Sequence, residues 1–230
     1  MNHEPQTRTT KFGVLGTGMV GQTLAGKLVA LGHEVLMGSR QTGNEKATAW
    51  AAQAGPLAHD GSFADAAAFG EMIVNATAGI GSLDALAGAA PADLNGKILI
   101  DVANPLDSSG GMPPVLTVCN TDSLAEQIQR AHPTLRVVKT LNTVSADVMV
   151  DPAIVPAPHT MFLAGEDAAA KAEVAGLLQS FGWPAESLMD LGDIRAARGT
   201  EMYLALWLRL WGATSTGHLN IHVAQEPASA

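Results

Sequence analysis

The chain contains few of the residues on which several classes of protein depend. It has one cysteine, Cys119, so it can form neither an internal disulfide nor a cysteine-rich metal site, and a reducing cytoplasm suits it. Lys and Arg total 13 against 22 Asp and Glu, and the net charge of −9 argues against a nucleic-acid or anionic-membrane partner. Runs of about 18 uncharged apolar residues are missing, so we expect no transmembrane helix.

What the chain has instead is apolar residues, which make up 47% of its 230 positions. A chain of this length and hydrophobicity can bury a sizeable core, which excludes disorder. Residues 1–10 are polar and lack the apolar centre of a signal peptide, so we expect a flexible leader. We expect a dinucleotide-binding domain over 11–158, followed over 159–230 by a sheet extension, a helix and a tail. The two parts can also form one continuous domain.

Short apolar runs alternate with helical patterns along the chain. This alternation predicts an α/β fold of the Rossmann type, with a doubly wound, mostly parallel sheet and helices on both faces. Strands are predicted at 12–15, 34–37, 72–76, 97–102, 136–140, 160–164 and 187–190, with a shorter one near 57–58. The clearest helix carries Val20, Leu24, Leu28 and Leu31 on one face. Other helices are predicted at 44–54, 63–69, 83–87, 123–131 and 168–181.

A glycine-rich turn, GTGMVG at 16–21, joins the first predicted strand to the first helix. In this setting the motif is typical of dinucleotide binding. Gly16 allows the tight turn, Gly18 lets a pyrophosphate approach the backbone, and Gly21 lets the helix pack on the strand. The helix N-terminus offers free N–H groups to the phosphates. The alternative is a glycine-rich turn that binds nothing.

The end of the second predicted strand indicates which dinucleotide is bound. NAD enzymes place an acidic residue there, but this chain has Ser39 and Arg40, and Glu34 lies roughly 13 Å away at the other end of the strand. Arg40 can pair with a 2′-phosphate, Ser39 can donate a hydrogen bond to it, and Lys46 can add charge. We therefore predict NADP(H) rather than NAD(H). The alternative for Arg40 is a solvated surface arginine.

Three later strand ends add candidates, because ligands of a doubly wound sheet bind at the carboxyl ends of its strands. We expect Thr77 to Gly79 to lie beside the diphosphate and the nicotinamide ribose. The amides of Asn104 and Asn142 can orient a carboxamide or a substrate carbonyl, or each can cap its own turn. The candidates from these strand ends are Thr77, Ala78, Gly79, Asn104, Pro105 and Asn142.

The last predicted helix, 194–211, is apolar on all sides, with Asp193 as its N-cap. Such a helix has to be covered all round. A homodimer interface or a position over a ligand would cover it, and so would burial in its own domain. We expect a homodimer through this helix.

We find no acid–base constellation and predict no catalytic side chain and no metal site. His218 and His222 lie in a segment that alternates like a strand, which would place them about 13 Å apart, too far to share an ion. Cys119 has no evident cationic neighbour, so we expect an inert thiol that is at least partly buried. Residues 105–114, rich in Pro, Ser and Gly, are interpreted as a mobile loop.

The sequence resembles the NADP-dependent oxidoreductases typified by coenzyme F-420-dependent NADP reductase. The matching stretches are 11–40 (KFGVLGTGMVGQTLAGKLVALGHEVLMGSR), 100–105 (IDVANP), 139–144 (KTLNTV) and 190–210 (DLGDIRAARGTEMYLALWLRL). The resemblance implies a Rossmann fold with NADPH in the cleft. Ten residues match positions that hold the cofactor in that family: Gly16, Thr17, Gly18, Met19, Val20, Ser39, Arg40, Thr77, Ala78 and Asn104.

The resemblance also implies hydride transfer to a flat ring near the nicotinamide. The leading hypothesis is an NADPH-dependent oxidoreductase whose small-molecule acceptor is a flavin or deazaflavin, namely coenzyme F-420, FMN or FAD. The six-transmembrane metalloreductases carry a related cytosolic domain that passes electrons through a flavin. Two alternatives stay open: a reductase of a small hydroxy acid or imine, and a non-catalytic NADPH-binding sensor.

Overall fold

The computed structural model describes residues 9–226, so the expected leader lies outside the described residues except for Thr9 and Thr10. The strands are β1 (Lys11–Leu15), β2 (Glu34–Ser39), β3 (Ala58–Ser62), β4 (Met72–Asn75), β5 (Ile98–Asp101), β6 (Leu106–Asp107), β7 (Val115–Leu116), β8 (Arg136–Thr140), β9 (Met161–Ala164) and β10 (Leu188–Asp190). The helices are α1 (Met19–Ala30), α2 (Glu45–Ala54), α3 (Phe63–Phe69), α4 (Ser82–Ala87), α5 (Pro91–Leu94), α6 (Leu124–Ala131), α7 (Ala146–Val150), α8 (Ala168–Phe181) and α9 (Ala197–Thr214).

Eight strands form one sheet in the order β10-β9-β8-β5-β4-β1-β2-β3. Every neighbouring pair is parallel except β8 and β9, which are antiparallel. The strand order reverses between β1 and β4, so the carboxyl ends of these two strands flank the crevice in which a doubly wound sheet binds ligands. The predicted doubly wound, mostly parallel fold is confirmed.

Apolar side chains fill both faces of the sheet, as expected for strands that helices cover on two sides. One face packs against α1, α2, α7 and α8, with Leu24, Trp50 and Trp183 among its large buried side chains. The other packs against α3 to α6 and the turn before α9, with Leu86 and Ile128 at its centre. This three-layer core fixes the carboxyl ends of the strands in space.

Several local predictions are wrong in detail. The strand expected near 57–58 runs over Ala58–Ser62, a mostly polar edge strand in which apolar residues give little signal. The single-turn helix α5 and the five-residue helix α7 were not predicted. Residues 218–223 form no regular strand, although Thr160 N–H donates to the Ile221 carbonyl at 2.8 Å. Cys119 is exposed and not buried, because it lies in an irregular stretch after β7.

Residues 105–114, interpreted from the sequence as a loop, include β6, which pairs antiparallel with β7 in a small hairpin. A single 3₁₀ turn, Ile194–Ala196, precedes α9, and Asp193 caps that turn as predicted by accepting from Arg195 N–H at 3.0 Å. Within residues 9–226, the helices are too short or too polar to cross a bilayer.

Candidate functional site

A cleft of about 630 Å³ lies at the switch point between β1 and β4. The turn after β1 forms one wall with Gly16, Thr17 and Gly18. The segment after β4 forms the other, with Thr77 and Ala78. The two predicted segments therefore face each other across one groove, which is where a Rossmann fold holds its dinucleotide.

The glycines of the turn have three different structural roles. Gly16 has φ +127°, and a Cβ there would collide with the Ala76 carbonyl. A Cβ on Gly21 would collide with the Gly16 carbonyl, so this position holds α1 against β1. A Cβ on Gly18 would meet nothing within 4 Å, and no side chain caps the first turn of α1. Gly18 thus leaves space for a phosphate at an uncapped helix N-terminus, and the site fits a dinucleotide.

A second hollow of about 330 Å³ continues the cleft along the end of β2 and shares Thr17, Arg40 and Phe63 with it. Arg40 is exposed, and among the described residues it makes no ion pair. The Ser39 hydroxyl is buried and donates to the Gln41 carbonyl. This end of the cleft therefore presents an available guanidinium and no carboxylate.

Ser39 and Lys46 were both predicted to bind the 2′-phosphate, but only Ser39 lies at the cleft. Ser39 lines the smaller hollow, whereas Lys46 lines neither hollow and stands exposed in the first turn of α2. Asn44, which sequence reasoning missed, lines the smaller hollow, and its side chain caps α2 by accepting from Lys46 N–H at 3.1 Å.

Phe63 was also missed, although it lies at the junction of the two hollows. It is the first residue of α3, and the preceding Ser62 forms a capping box with Asp65. The Ser-x-x-Asp spacing is a sequence signal for a helix start, and a helix that begins directly after a parallel strand begins at the ligand edge. That signal could have placed Phe63 in the site.

The amides of Asn104 and Asn142 bind each other. Asn142 Nδ2 donates to Asn104 Oδ1 at 2.9 Å and to the Thr200 carbonyl at 3.1 Å, and Asn104 Nδ2 donates to the Asn142 carbonyl at 2.9 Å. Both amide hydrogens of Asn142 are thus used within the fold, and the residue is only 2% exposed. The structure therefore does not bring Asn142 to the cleft.

The remaining predicted residues surround the cleft without lining it. Met19 is 73% exposed at the start of α1, and Val20 packs against the core. Gly79 packs directly on the Asn104 backbone, where a Cβ would collide with the Asn104 carbonyl. The Pro105 carbonyl accepts from Thr117 N–H at 2.8 Å, which ties the start of the hairpin to its end.

A buried polar network beneath the cleft was not predicted at all. Lys139 Nζ lies 2.9 Å from Asp101 Oδ2 and 2.9 Å from Glu201 Oε1, and all three side chains are at most 1% exposed. Asp101 Oδ1 accepts from Asn75 Nδ2 at 2.8 Å. Asn75 Oδ1 in turn accepts from the Thr77 hydroxyl at 2.8 Å. The network therefore runs from α9, through three neighbouring strands, to the wall of the cleft.

Burial and charge oppose each other in this cluster. Burial disfavours the charged ammonium of Lys139, but its attraction to the carboxylates of Asp101 and Glu201 outweighs the effect of burial. The pKa of Lys139 is therefore raised. Burial raises the pKa of Glu201, which the attraction of Lys139 and hydrogen bonds such as that from Leu124 N–H only partly offset. Lys139 is accordingly a firmly charged group in the protein core.

The family model for coenzyme F-420-dependent NADP oxidoreductases matches residues 11–105. A solved structure of a candidate F-420-dependent NADP-reductase from Arthrobacter sp. FB24 is 50% identical, covers 94% of this chain and 100% of its own, and superimposes with a TM-score of 0.88. The chain belongs to the coenzyme F-420-dependent NADP oxidoreductase family. The predicted family resemblance is confirmed.

Two more distant relatives place this family member in context. The metalloreductase STEAP3 of Rattus norvegicus is 28% identical over 201 residues, which cover 87% of this chain and 37% of the metalloreductase. The chain thus spans little more than a third of that relative. An imine reductase from Aspergillus terreus, solved with NADPH4 and dibenz[c,e]azepine, is 20% identical with a TM-score of 0.63, covering 90% of this chain and 63% of its own. That likeness shows the fold alone.

Proposed function

We propose that this member of the family is an NADPH-dependent oxidoreductase that transfers a hydride between NADP(H) and a flavin or deazaflavin acceptor such as coenzyme F-420, FMN or FAD. One observation carries the choice of dinucleotide. The exposed guanidinium of Arg40 stands at the end of β2, beside the turn with Gly18, where NAD enzymes have a carboxylate. The structure of the 50% identical relative supports the same class of reaction.

Different residues along the cleft would bind different parts of NADPH. The N–H groups at the start of α1, next to Gly18, would hold the diphosphate. Arg40 would pair with the 2′-phosphate, and Phe63 would supply an apolar surface for the adenine. Thr77 and Ala78 would lie along the nicotinamide half. When bound, NADPH supplies the hydride, so the protein has to orient two rings and exclude water.

The acceptor would bind beside the nicotinamide end, where several apolar side chains are exposed. Ile80 is 70% exposed and Val115 is 64% exposed. The β6–β7 hairpin lies between the turn that holds Ile80 and helix α9, with β6 against the turn and β7 against the helix. An aromatic ring system stacked on such apolar surfaces needs few hydrogen bonds, which suits a flat acceptor.

We also propose that α9 pairs with a second copy of the chain. Leu206 and Trp211 are 53% and 41% exposed, and Trp211 stacks on Trp207 with the ring centroids 6.2 Å apart. A second copy would cover this apolar face. The proposal includes a cytoplasmic protein in which residues 11–158 bind the dinucleotide and the later residues supply α9.

The test measures binding and turnover separately. NADPH and NADH are titrated by calorimetry into wild type, Arg40→Ala and Arg130→Ala, where Arg130 is an exposed arginine on α6 away from the cleft. We expect Arg40→Ala to weaken NADPH binding at least tenfold and to leave NADH binding unchanged. The Arg130→Ala control should bind both dinucleotides as the wild type does. Equal affinity of wild type for NADH and NADPH would contradict the proposal.

Turnover is followed at 340 nm with coenzyme F-420, FMN, FAD and a ferric chelate offered one at a time and in pairs. Oxidation of NADPH by F-420 or by a free flavin supports the proposed reaction. Oxidation that needs both a flavin and ferric iron would indicate a metalloreductase-like activity. Tight NADPH binding without turnover on any acceptor would contradict the enzyme and leave a sensor, and turnover on an imine or hydroxy acid would replace the proposed acceptor.

A further inference from the structure

Helix α4 and the two glycines that flank it present one face to the cleft. The residues of this face lie three or four positions apart, as neighbours on a helix surface do: Gly81, Asp84, Ala85 and Gly88. The glycines have no side chain, and the methyl group of Ala85 is packed into the core, since Ala85 is 2% exposed. Asp84 therefore carries the only functional group on this face of α4.

The carboxylate of Asp84 is exposed, and within residues 9–226 it makes neither an ion pair nor a hydrogen bond. It is also the only carboxylate among the described residues that line the cleft and the smaller hollow. A dinucleotide with a diphosphate and a 2′-phosphate is strongly anionic, so a carboxylate beside it opposes binding unless the carboxylate accepts a hydrogen bond. The ligand of this cleft should therefore bring a donor group to Asp84.

The surroundings of Asp84 fit a flat aromatic ring. The start of α3 also lines the cleft, with Phe63, and α3 packs against α4, so the two helices wall one part of the groove. A Cβ on Gly81 would meet nothing within 4 Å, and one on Gly88 would meet only the Ala85 carbonyl, at 3.8 Å. The groove is therefore open on both sides of Asp84 and has an aromatic side chain in its wall.

Arg40 indicates which ring of the dinucleotide lies there. The 2′-phosphate belongs to the adenosine ribose, so adenine has to lie close to Arg40, and Phe63 lines both hollows beside that residue. The ring nitrogens of adenine accept hydrogen bonds, and its 6-amino group is the donor of the base. We infer that Asp84 accepts a hydrogen bond from the 6-amino group of adenine and makes the cleft selective for an adenine dinucleotide.

This inference rests on the proposed function and names the base that the site selects. Hypoxanthine and guanine carry an oxygen at position 6, which would set an acceptor against the carboxylate of Asp84. A base with hydrogen at position 6 would leave the carboxylate without its donor. Arg40 and Asp84 thus have separate roles, because Arg40 distinguishes NADP from NAD and Asp84 distinguishes adenine from other purines.

The test compares NADPH with its purine analogue, in which hydrogen replaces the 6-amino group and the rest of the molecule is unchanged. Calorimetry gives both Kd values for each variant, and their ratio is the readout, because a changed charge at residue 84 acts on both ligands alike. We expect the wild type to prefer NADPH about tenfold. Asp84→Ala should bind both ligands within about twofold, and Asp84→Asn, whose amide oxygen still accepts, should prefer NADPH about threefold.

Glu173→Ala is the matched control, since Glu173 is an exposed carboxylate on α8, a helix on the other face of the sheet. It should keep the wild-type preference. Tm is measured in parallel, because Asp84 lies in the first turn of α4, where an acidic residue stabilises a helix. A lowered Tm in Asp84→Ala with the wild-type preference retained would show that structural role alone and would overturn the inference.

The remaining outcomes separate this inference from the proposed function. A wild type that binds NADPH and the purine analogue equally well would overturn the inference while the proposed function stands. The same holds if Asp84→Ala weakens both ligands by the same factor, since Asp84 would then bind a ribose hydroxyl. A wild-type protein that does not bind NADPH would overturn both.

Discussion

Lys139 at the end of β8 and Glu201 in α9 form an ion pair at 2.9 Å in which neither side chain is more than 1% exposed. Glu201 also accepts from the first two backbone amides of α6, Leu124 N–H at 2.8 Å and Ala125 N–H at 3.2 Å. One carboxylate thus joins a strand, the start of one helix and the second turn of another. Removing its counter-ion should affect all three.

We predict that Lys139→Met destabilises the protein by about 3–5 kcal/mol, because it leaves two carboxylates buried without a cation. Urea denaturation followed by tryptophan fluorescence measures the change. Arg130→Met is the comparison, since it removes an exposed cation paired with Asp122, and we expect a much smaller loss because solvent screens that pair. Similar losses of stability in the two variants would show that the buried pair stabilises the fold no more than a surface pair does.

Alanine at Gly18 should affect NADPH binding, whereas alanine at Gly21 should affect the stability of the fold. Gly18→Ala should fold with an unchanged or slightly higher Tm, because Gly18 has φ −77° and space for a Cβ, and should bind NADPH at least tenfold more weakly. Gly21→Ala should lower Tm by several degrees, because its Cβ meets the Gly16 carbonyl. Thermal denaturation and calorimetry on both variants check this. A Gly18→Ala variant with wild-type affinity would remove the diphosphate from the turn.

Acid should weaken the ion pair between Asp122 and Arg130 of α6. Hydrogen bonds from Arg130 lower the pKa of Asp122 to about 2, from its ordinary 3.8. A carboxyl whose pKa is lowered by folding stabilises the fold above the unfolded pKa, and this contribution disappears as the pH falls through the folded pKa. The Tm difference between wild type and Asp122→Asn should therefore be greatest near pH 6 and shrink between pH 4 and pH 2. A difference that stays constant over this range would exclude the pair as its source.

The proposed dimer predicts a mass in solution of twice the 23.7 kDa chain. Light scattering at micromolar concentration should find it for wild type, and Leu206→Glu with Trp211→Glu should give the folded single chain, with a Tm lowered only by the loss of association. Both side chains are more than 40% exposed in one copy, so the charges should not disturb its core. A wild-type mass near that of one chain would exclude the pairing.

The order of strands and helices could be predicted because its signals are local. The turn with Gly16 and Gly18 has a fixed spacing, and the buried strand Ile98–Asp101 is apolar on both faces. The edge strand β3 was misplaced for the opposite reason, since its polar residues carry no period. The one-turn helix α5 is too short for a helical period to repeat.

The groups beneath the cleft could not be read from spacing, because Asp101 and Lys139 are 38 residues apart. One signal was present nonetheless. Asp101 ends one apolar strand and Lys139 nearly ends the next parallel strand, and the two are direct neighbours in the sheet. Opposite charges in otherwise apolar strands that run side by side indicate a buried pair. The exposure of α9 was unpredictable for another reason, since composition does not tell whether a helix is covered by its own chain or by another.

The reversal of β9 determines where the last helix points. Because β9 and β10 run against the other strands, the chain leaves β10 at the edge opposite the cleft, where Gly165 N–H donates to the Gly192 carbonyl. From there α9 rises along the sheet and reaches the cleft edge only at Glu201. The 13 residues that follow, to Thr214, span about 20 Å at 1.5 Å each, and Leu206 and Trp211 among them are exposed. The two reversed strands thus start the last helix from the edge of the sheet opposite the ligand, so that the helix runs toward the ligand and not away from it.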